Sequence, residues 1–460
     1  MMAFKQIKTA YFIGIGGIGM SAIARYMMSE GIRVYGYDKT RNDFTIQLES
    51  EGFSIHYNDH IDHIPEAVKL GQDAIVIYTP AIPKANKIFK WLNQHQIRLY
   101  KRAEVLGIIS ANTFTIAVAG THGKTTTSSM VAHLLNTCNI NFTAFLGGIS
   151  SNFNTNYVQK RDGKSLFKQD IMVVEADEFD RSFLHLHPDI AIVTSTDADH
   201  LDIYGEADAV KQSFQMFVNQ VDAKGLSIIN DTLDLHAPSK RLLYGASEKA
   251  EARYQNILVK AHQFHFDYSL DSIKMTIVNA LPGFHNVENA TAAITACLFL
   301  KLPIETLAQA CATFKGVKRR FEYVVNQEHA VVIDDYAHHP TELKACINSV
   351  RELYPQHKIT GIFQPHLYSR TRDFADDFAT SLDLLDECWL LDIYPARELP
   401  IPDINSEFLA FKMKKNPLLM AKDNVLKHLQ QERPELLLIL GAGDIDQLVK
   451  PIKEIYEKAH

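Results

Sequence analysis

Nowhere in the 460 residues is there a run of the roughly 18 to 20 consecutive apolar residues that a membrane span needs. The start of the chain does not show the basic, apolar, small-residue order of a secretory leader, which predicts a cytoplasmic protein. No long basic stretch accompanies the net charge of -7, so the electrostatic footprint for nucleic acid is missing. None of the five cysteines (Cys138, Cys297, Cys311, Cys346, Cys388) stands in a Cys-x-x-Cys pair, so zinc and dithiol signatures are absent and reduced core residues are expected. There is no G-x-S-x-G to suggest a serine nucleophile, no short repeat and no proline-rich linker.

What is present reads as a soluble α/β protein, 46% hydrophobic and 22% charged. Its length predicts three domains. Short β-rich runs alternate with helical segments from TAYFIGIG to DAIVIYTPAI, the pattern of a parallel sheet with crossover helices. A second α/β unit starts near NTFTIAVAG, and a third carries AVVIDDYAHH, KITGIFQPH, ECWLLDIYPA and LLLILGAGDI. Between Leu226 and Asn279, short strands and turns predict an antiparallel insertion in the middle unit.

GIGGIG (Gly14, Gly16, Gly17 and Gly19) follows an apolar strand and opens a helix, with Asp38 about 20 residues on, the context of a dinucleotide fingerprint. Backbone N–H groups at a helix N-terminus suit a diphosphate, whether of NAD or of a UDP-sugar. GTHGKTTT lies between a strand and a helix whose Met130, Val131, Leu134 and Leu135 are apolar. There Gly120 and Gly123 allow backbone N–H groups to wrap phosphates, Lys124 supplies a cation and Thr125 a hydroxyl for Mg²⁺, with Thr121, His122 and Thr126 completing the loop. The spacing is shorter than the usual phosphate loop.

Glu175 ends the strand of VVEADEFD, and His200 stands in TSTDADHLD beside Asp197, Asp199 and Asp202; carboxylate and imidazole are each suited to Mg²⁺ beside phosphates. The remaining acids of these runs read as solvated loop charges. PGFHNVENATAA offers His285, Asn286 and Asn289 either to a purine edge or to helix capping. KGVKRRFE places Arg319 and Arg320 at a domain border, suited to phosphates on closure or simply exposed. Asp335, Tyr336, His338 and His339 end a strand, and His366, Arg370 and Arg372 follow in FQPHLYSRTRDF; arginine there suits a carboxylate.

GIGGIGM, GTHGKTTT, EADE, DADH, HNVEN, RRFE, DDYAHHPTE and GAGDI, in that order, closely resemble the Mur ligases across essentially the whole chain. GIGGIGMSAIA, DDYAHHPTE and YPARE look most like the members that join L-alanine to UDP-N-acetylmuramate in peptidoglycan synthesis. The resemblance implies a UDP-sugar-binding Rossmann-like domain over 1–107, a central P-loop ATPase-type domain over 108–320 and a C-terminal Rossmann-like domain over 321–460 that receives the amino acid. It replaces NAD by UDP-sugar at Gly14, Gly16, Gly17, Gly19 and Asp38. It assigns ATP to Gly120 through Thr126 with Asn286, Asn289 and Arg320, and Mg²⁺ to Thr125, Glu175 and His200. Catalytic roles fall to Lys124, His200, Arg320, Asp335 and His338, and L-alanine to Tyr336, His338 and Arg370. Leu367 departs from the family pattern, standing where many members have arginine. Three rivals remain: a related ligase that attaches a whole tripeptide, a dehydrogenase using the first glycine loop, and a nucleotide-gated binding protein.

Overall fold

The computed structural model describes residue 4 and residues 6–197, 207–396 and 398–458. Three α/β domains are each built on one sheet. The first sheet runs in the order Ser54–His56, Arg33–Tyr37, Thr9–Ile13, Ala74–Tyr78, Leu99–Lys101, with every neighbouring pair parallel. The chain moves outward from Thr9–Ile13 in one direction, then crosses back to its other side. This reversal opens a crevice at the carboxyl end of Thr9–Ile13, where the first glycine loop lies. Thr9–Ile13 is buried along its whole length, as a strand covered by helices on both faces must be, and its residues are accordingly apolar or neutral.

The second sheet has ten strands in the order Ile273–Asn279, Gln263–Leu270, Ala252–Lys260, Lys240–Gly245, Leu226–Asn230, Ile190–Val193, Phe114–Ala119, Ile171–Glu175, Phe142–Ser150, Thr155–Lys160. The expected antiparallel insertion is corrected in part. Leu226–Asn230 pairs parallel with Ile190–Val193, and Lys240–Gly245 pairs parallel with Leu226–Asn230, so both prolong the parallel sheet. LSIIN is buried at all five positions, the mark of an interior parallel strand, which a short run of turns and apolar residues had obscured. A tight reversal does follow at Ala261 and His262, whose φ values of 48° and 58° are those of a two-residue hairpin turn.

The third sheet runs Glu322–Gln327, Ala330–Asp335, Leu436–Leu440, Ile359–Phe363, Glu387–Leu390, Leu418–Leu419, parallel except for its first strand, which is antiparallel to the second. Trp389, Leu437, Ile439 and Ile452 form its core.

By compactness the chain forms two units, one of Met1–Gln255, Asp267–Ile277 and Glu288–Thr313, the other of Asn256–Phe266, Val278–Val287 and Phe314–His460. Within the first unit a single apolar core joins the first two sheets, from Phe12 and Ile77 through Val105 and Ile109 to Val174 and Val193. Buried Arg25 fastens this joint, donating through Nη1 to Asn156 Oδ1 at 2.6 Å while its Nε–H meets Glu51 Oε2 at 2.7 Å. Four cysteines are buried, Cys138 is partly so, and all five are free thiols. Among the described residues no helix is long and apolar enough to cross a membrane.

Candidate active site

The central loop connects the buried strand Phe114–Ala119 to the helix Lys124–Thr137. Gly123 caps that helix with φ 79°, and a side chain there would stand 2.6 Å from Asn289 Oδ1, so both conformation and space require glycine. Gly120, at φ 143°, is pressed against Thr194. The loop is held from the neighbouring strand end: Thr121 Oγ1 lies 2.8 Å from Ser195 Oγ, His122 N donates to Ser195 Oγ at 2.9 Å, and Asp197 N donates to Thr121 Oγ1 at 3.1 Å. Met130, Val131, Leu134 and Leu135 are all fully buried, yet so are Thr127, Ser128 and Ser129; the helix is enclosed on every side rather than along one face.

Lys124 Nζ donates to the carbonyls of Gly120 and Thr121 and to Glu178 Oε1 at 2.9 Å. Burial works against its charge, but Glu178 and Glu175 outweigh burial and hold its pKa above the ordinary value. The ammonium is therefore permanent at neutral pH. Glu178, only 2% exposed, is the main residue that sequence reasoning missed; read as a solvated acid, it is the buried counter-ion of the loop lysine. Its neighbour Glu175 ends the strand Ile171–Glu175 and accepts from Gly147 N at 3.0 Å.

Asn289 backs the loop, accepting from Thr127 Oγ1 at 3.1 Å, while Asn286 Nδ2 donates to the Pro282 carbonyl at 2.6 Å and steadies the entry into the helix Phe284–Phe299. Both are buried, so neither amide stands out in solvent. His285 is pushed down to about 4 by burial and by Arg320, and is neutral at pH 7. In the first sheet, Gly16 N donates to Asp38 Oδ2 at 2.8 Å, so Asp38 shapes the glycine loop that carries Gly14, Gly17 and Gly19. His200, Asp199 and Asp202 lie outside the described residues. Among the described residues no cluster of three or more His, Cys, Asp or Glu is arranged to hold a metal.

The second unit gathers the other candidates. Asp335 accepts from Phe321 N at 2.7 Å and Ala337 N at 2.8 Å, and burial, opposed by Arg320, lifts its pKa to about 6. Arg319 and Arg320 stand over the Tyr336 ring, each 5.0 Å from its centroid, and Arg320 Nη1 lies 3.5 Å from Glu342 Oε1. His338 Nδ1 lies 3.1 Å from Glu342 Oε2, and its ring meets those of Tyr336 and His366 edge-on. Arg370 is on the short helix Tyr368–Asp373, entered through Leu367 at φ 72°. Glu342 went unnoticed in the sequence, although its place in the first turn of the helix Pro340–Leu353 is a standard site for an acid.

Asp334, 1% exposed, is raised to about 7 by burial, with Arg319 opposing. Its folded pKa exceeds the unfolded value near 4, so the native state binds the extra proton and stability falls as pH rises from about 4 through about 7. Asp334→Asn should flatten this slope, improving stability at pH 8 relative to pH 5 by a few kcal/mol compared with the parent; urea midpoints across that range measure it. An unchanged slope would mean that Asp334 is ionised without cost.

Comparison with known proteins bears directly on this assembly. Residues 9–113 match the Mur ligase catalytic domain, 118–297 the Mur ligase middle domain and 319–444 the Mur ligase glutamate ligase domain. A UDP-N-acetylmuramate–L-alanine ligase of Flavobacterium psychrophilum is 47% identical over 461 residues, covering 99% of this chain and 100% of that protein. The chain belongs to the Mur ligase family. Another Mur ligase, the UDP-N-acetylmuramate–L-alanine ligase of Porphyromonas gingivalis, is 45% identical over 97% of this chain and 99% of its own length. Among solved structures, the UDP-N-acetylmuramate-alanine ligase of Thermotoga maritima superposes with a TM-score of 0.82 at 27% identity, covering 98% of this chain and all of that one. A murein peptide ligase of Psychrobacter arcticus shares the Mur ligase fold, with a TM-score of 0.69 at 22% identity over 97% of this chain and 98% of its own.

Proposed function

We propose that this Mur ligase joins L-alanine to the carboxylate of UDP-N-acetylmuramate at the expense of ATP, yielding UDP-N-acetylmuramoyl-L-alanine, ADP and phosphate as a cytoplasmic step of peptidoglycan synthesis. The observation that carries the reading is near-complete, two-way coverage by L-alanine ligases at up to 47% identity, on a chain whose phosphate loop is intact. We place the domain borders at 1–107, 108–320 and 321–460. Gly14, Gly16, Gly17 and Gly19 with Asp38 serve the UDP-sugar, and Gly120–Thr126 with Asn286, Asn289 and Arg320 serve ATP. Tyr336, His338 and Arg370 serve the amino acid.

Two anions must meet before any bond forms, and the chain supplies the opposing charge. Lys124, kept protonated by Glu178 and Glu175, neutralises phosphate oxygens while the substrate carboxylate oxygen attacks the γ-phosphorus and ADP leaves. The L-alanine amine then attacks the acyl carbon of the acyl phosphate, loses a proton and displaces inorganic phosphate, leaving an amide. Among the described candidates Thr125 and Glu175 offer only oxygen donors, which fits Mg²⁺ completed by phosphates and water, and we assign them with His200 to it. Bound there, Mg²⁺ would offset phosphate charge. We assign catalytic parts also to Arg320, Asp335 and His338, with Asp335 held by the N–H of Phe321.

The test is phosphate release from ATP and Mg²⁺ with UDP-N-acetylmuramate, comparing L-alanine with the tripeptide L-Ala-γ-D-Glu-meso-diaminopimelate. Release with L-alanine supports the reading; release with the tripeptide alone overturns it in favour of the rival ligase.

A further inference from the structure

Glu398 stands apart from the amino-acid candidates in sequence, yet it holds the start of the helix that bears Arg370. That helix, Tyr368–Asp373, has six residues and is entered through Leu367, whose side chain supplies no cap. Glu398 supplies one from another segment. Ser369 N donates to Glu398 Oε2 at 3.0 Å, Ser369 Oγ donates to Oε1, and the Tyr368 N–H adds a third donor. Burial works against the Glu398 charge, but the donors from Ser369 and Tyr368, with His366 nearby, outweigh it and hold the pKa below the ordinary carboxylate value. Just before the helix, the same two segments are laced by backbone. Leu367 N donates to the Tyr394 carbonyl at 3.0 Å, Tyr394 N donates to the Pro365 carbonyl at 2.8 Å, and the His366 and Tyr394 rings are stacked with centroids 5.8 Å apart. The stretch from Tyr394 to Glu398 thus grips the stretch from Pro365 to Ser369 at both ends.

A single helical turn closes too few hydrogen bonds to fix its own direction, so its start must be set from outside. Here the turn is held between Glu398 at its start and buried Thr371, whose Oγ1 donates to the Leu367 carbonyl at 2.8 Å. Arg370 lies between these two fixed points. A planar guanidinium meets a carboxylate through two parallel N–H groups, a contact that fails when the plane is turned. The clamp also borders the other amino-acid candidates: the His366 ring meets that of His338 edge-on at 5.9 Å, and His338 meets Tyr336 at 5.1 Å. We propose that Glu398 is the positioning residue of the amino-acid site, setting the direction of Arg370 through Ser369 and thereby the affinity for the carboxylate of L-alanine. This rests on the assignment of Arg370 to the amino acid. Glu398 acts through that arginine rather than on the substrate.

The experiment is initial-rate phosphate release by the full chain with ATP, Mg²⁺, UDP-N-acetylmuramate and varied L-alanine, with thermal midpoints recorded. The parent is compared with Glu398→Ala, Glu398→Gln, Ser369→Ala, Arg370→Ala and the double variant Glu398→Ala with Arg370→Ala. Glu398→Ala should raise the KM for L-alanine about tenfold or more and leave the KM for ATP within about twofold of the parent, since only the acceptor's contact is misaligned. Glu398→Gln should recover part of that loss, because its amide oxygen still accepts from Ser369, and Ser369→Ala should show a smaller rise. The double variant should be no worse than Arg370→Ala alone, because nothing is left to position. A parental KM for L-alanine in Glu398→Ala, where Arg370→Ala raises it, would overturn the positioning proposal alone. So would full multiplication of the two defects in the double variant, or a KM for ATP that rises by the same factor, which marks a general structural defect. A parental KM for L-alanine in Arg370→Ala would remove the amino-acid reading of that arginine, and the proposal with it. If Glu398→Ala fails to fold, Glu398→Gln and Ser369→Ala carry the test with the same readouts.

Discussion

Lys124→Ala should lower kcat on the order of 10³-fold, because a permanent cation is removed from the place where two anions must approach. The same substitution should also cost stability, contrary to what the loop sequence alone suggests. Glu178 is 2% exposed, and Lys124 lies 2.9 Å from it; removing one member of a buried pair leaves an uncompensated charge, at a cost of about 3–5 kcal/mol. Burial already raises the Glu178 pKa, and loss of the lysine raises it further. In the variant the native state therefore holds a proton that the unfolded chain releases near pH 4, so stability should fall as pH rises above that value. Adding Glu178→Gln to Lys124→Ala should restore much of the stability and none of the activity. Urea midpoints at pH 5 and 8 together with turnover separate the two effects. A single variant with near-parental kcat would remove Lys124 from the phosphate site.

Glu175→Ala should reduce kcat about 100-fold or more and raise the Mg²⁺ concentration for half-maximal rate by about tenfold or more. The carboxylate is the strand-end acid nearest the loop's electrostatics, since it is second only to Glu178 in holding Lys124 protonated. Its one described hydrogen bond, from Gly147 N at 3.0 Å, is met equally well by an amide oxygen. Glu175→Gln should therefore keep the parental thermal midpoint while sharing the Mg²⁺ defect. A normal Mg²⁺ requirement in both variants would place the metal elsewhere.

Much of this arrangement was legible in the sequence because it depends on local chemistry. A strand, two glycines, a lysine and threonines in GTHGKTTT predict a strand, a tight loop and a helix, and the structure has that turn between Phe114–Ala119 and Lys124–Thr137. The same holds for GIGGIG after Thr9–Ile13. What escaped was set by tertiary burial. EADE contains four consecutive positions of which Glu178 is enclosed and Asp177 partly exposed, and nothing in their spacing distinguishes them. Arg102 is distant in sequence from Gly19 and Asp177, so its position between them appears only once the first two sheets share a core. Leu226–Asn230 was misjudged for a related reason: a strand of an extended parallel sheet was read from its turn-rich surroundings.

We propose that Leu367 bears on selectivity. An apolar residue at φ 72° begins the helix that carries Arg370, so this chain has one guanidinium fewer at that turn than the family members with arginine in its place. On the proposed assignment of Arg370 to the amino acid, its carboxylate would depend more heavily on that one guanidinium.

The most direct measurement for the central claim is oxygen-18 transfer. UDP-N-acetylmuramate labelled in its carboxylate is incubated with ATP, Mg²⁺ and L-alanine, and the released inorganic phosphate is analysed by mass spectrometry. Activation of the substrate carboxylate by the γ-phosphoryl group predicts one labelled oxygen in each phosphate. Unlabelled phosphate accompanying amide formation would contradict the acyl-phosphate route, and phosphate release without amide would contradict the ligase itself.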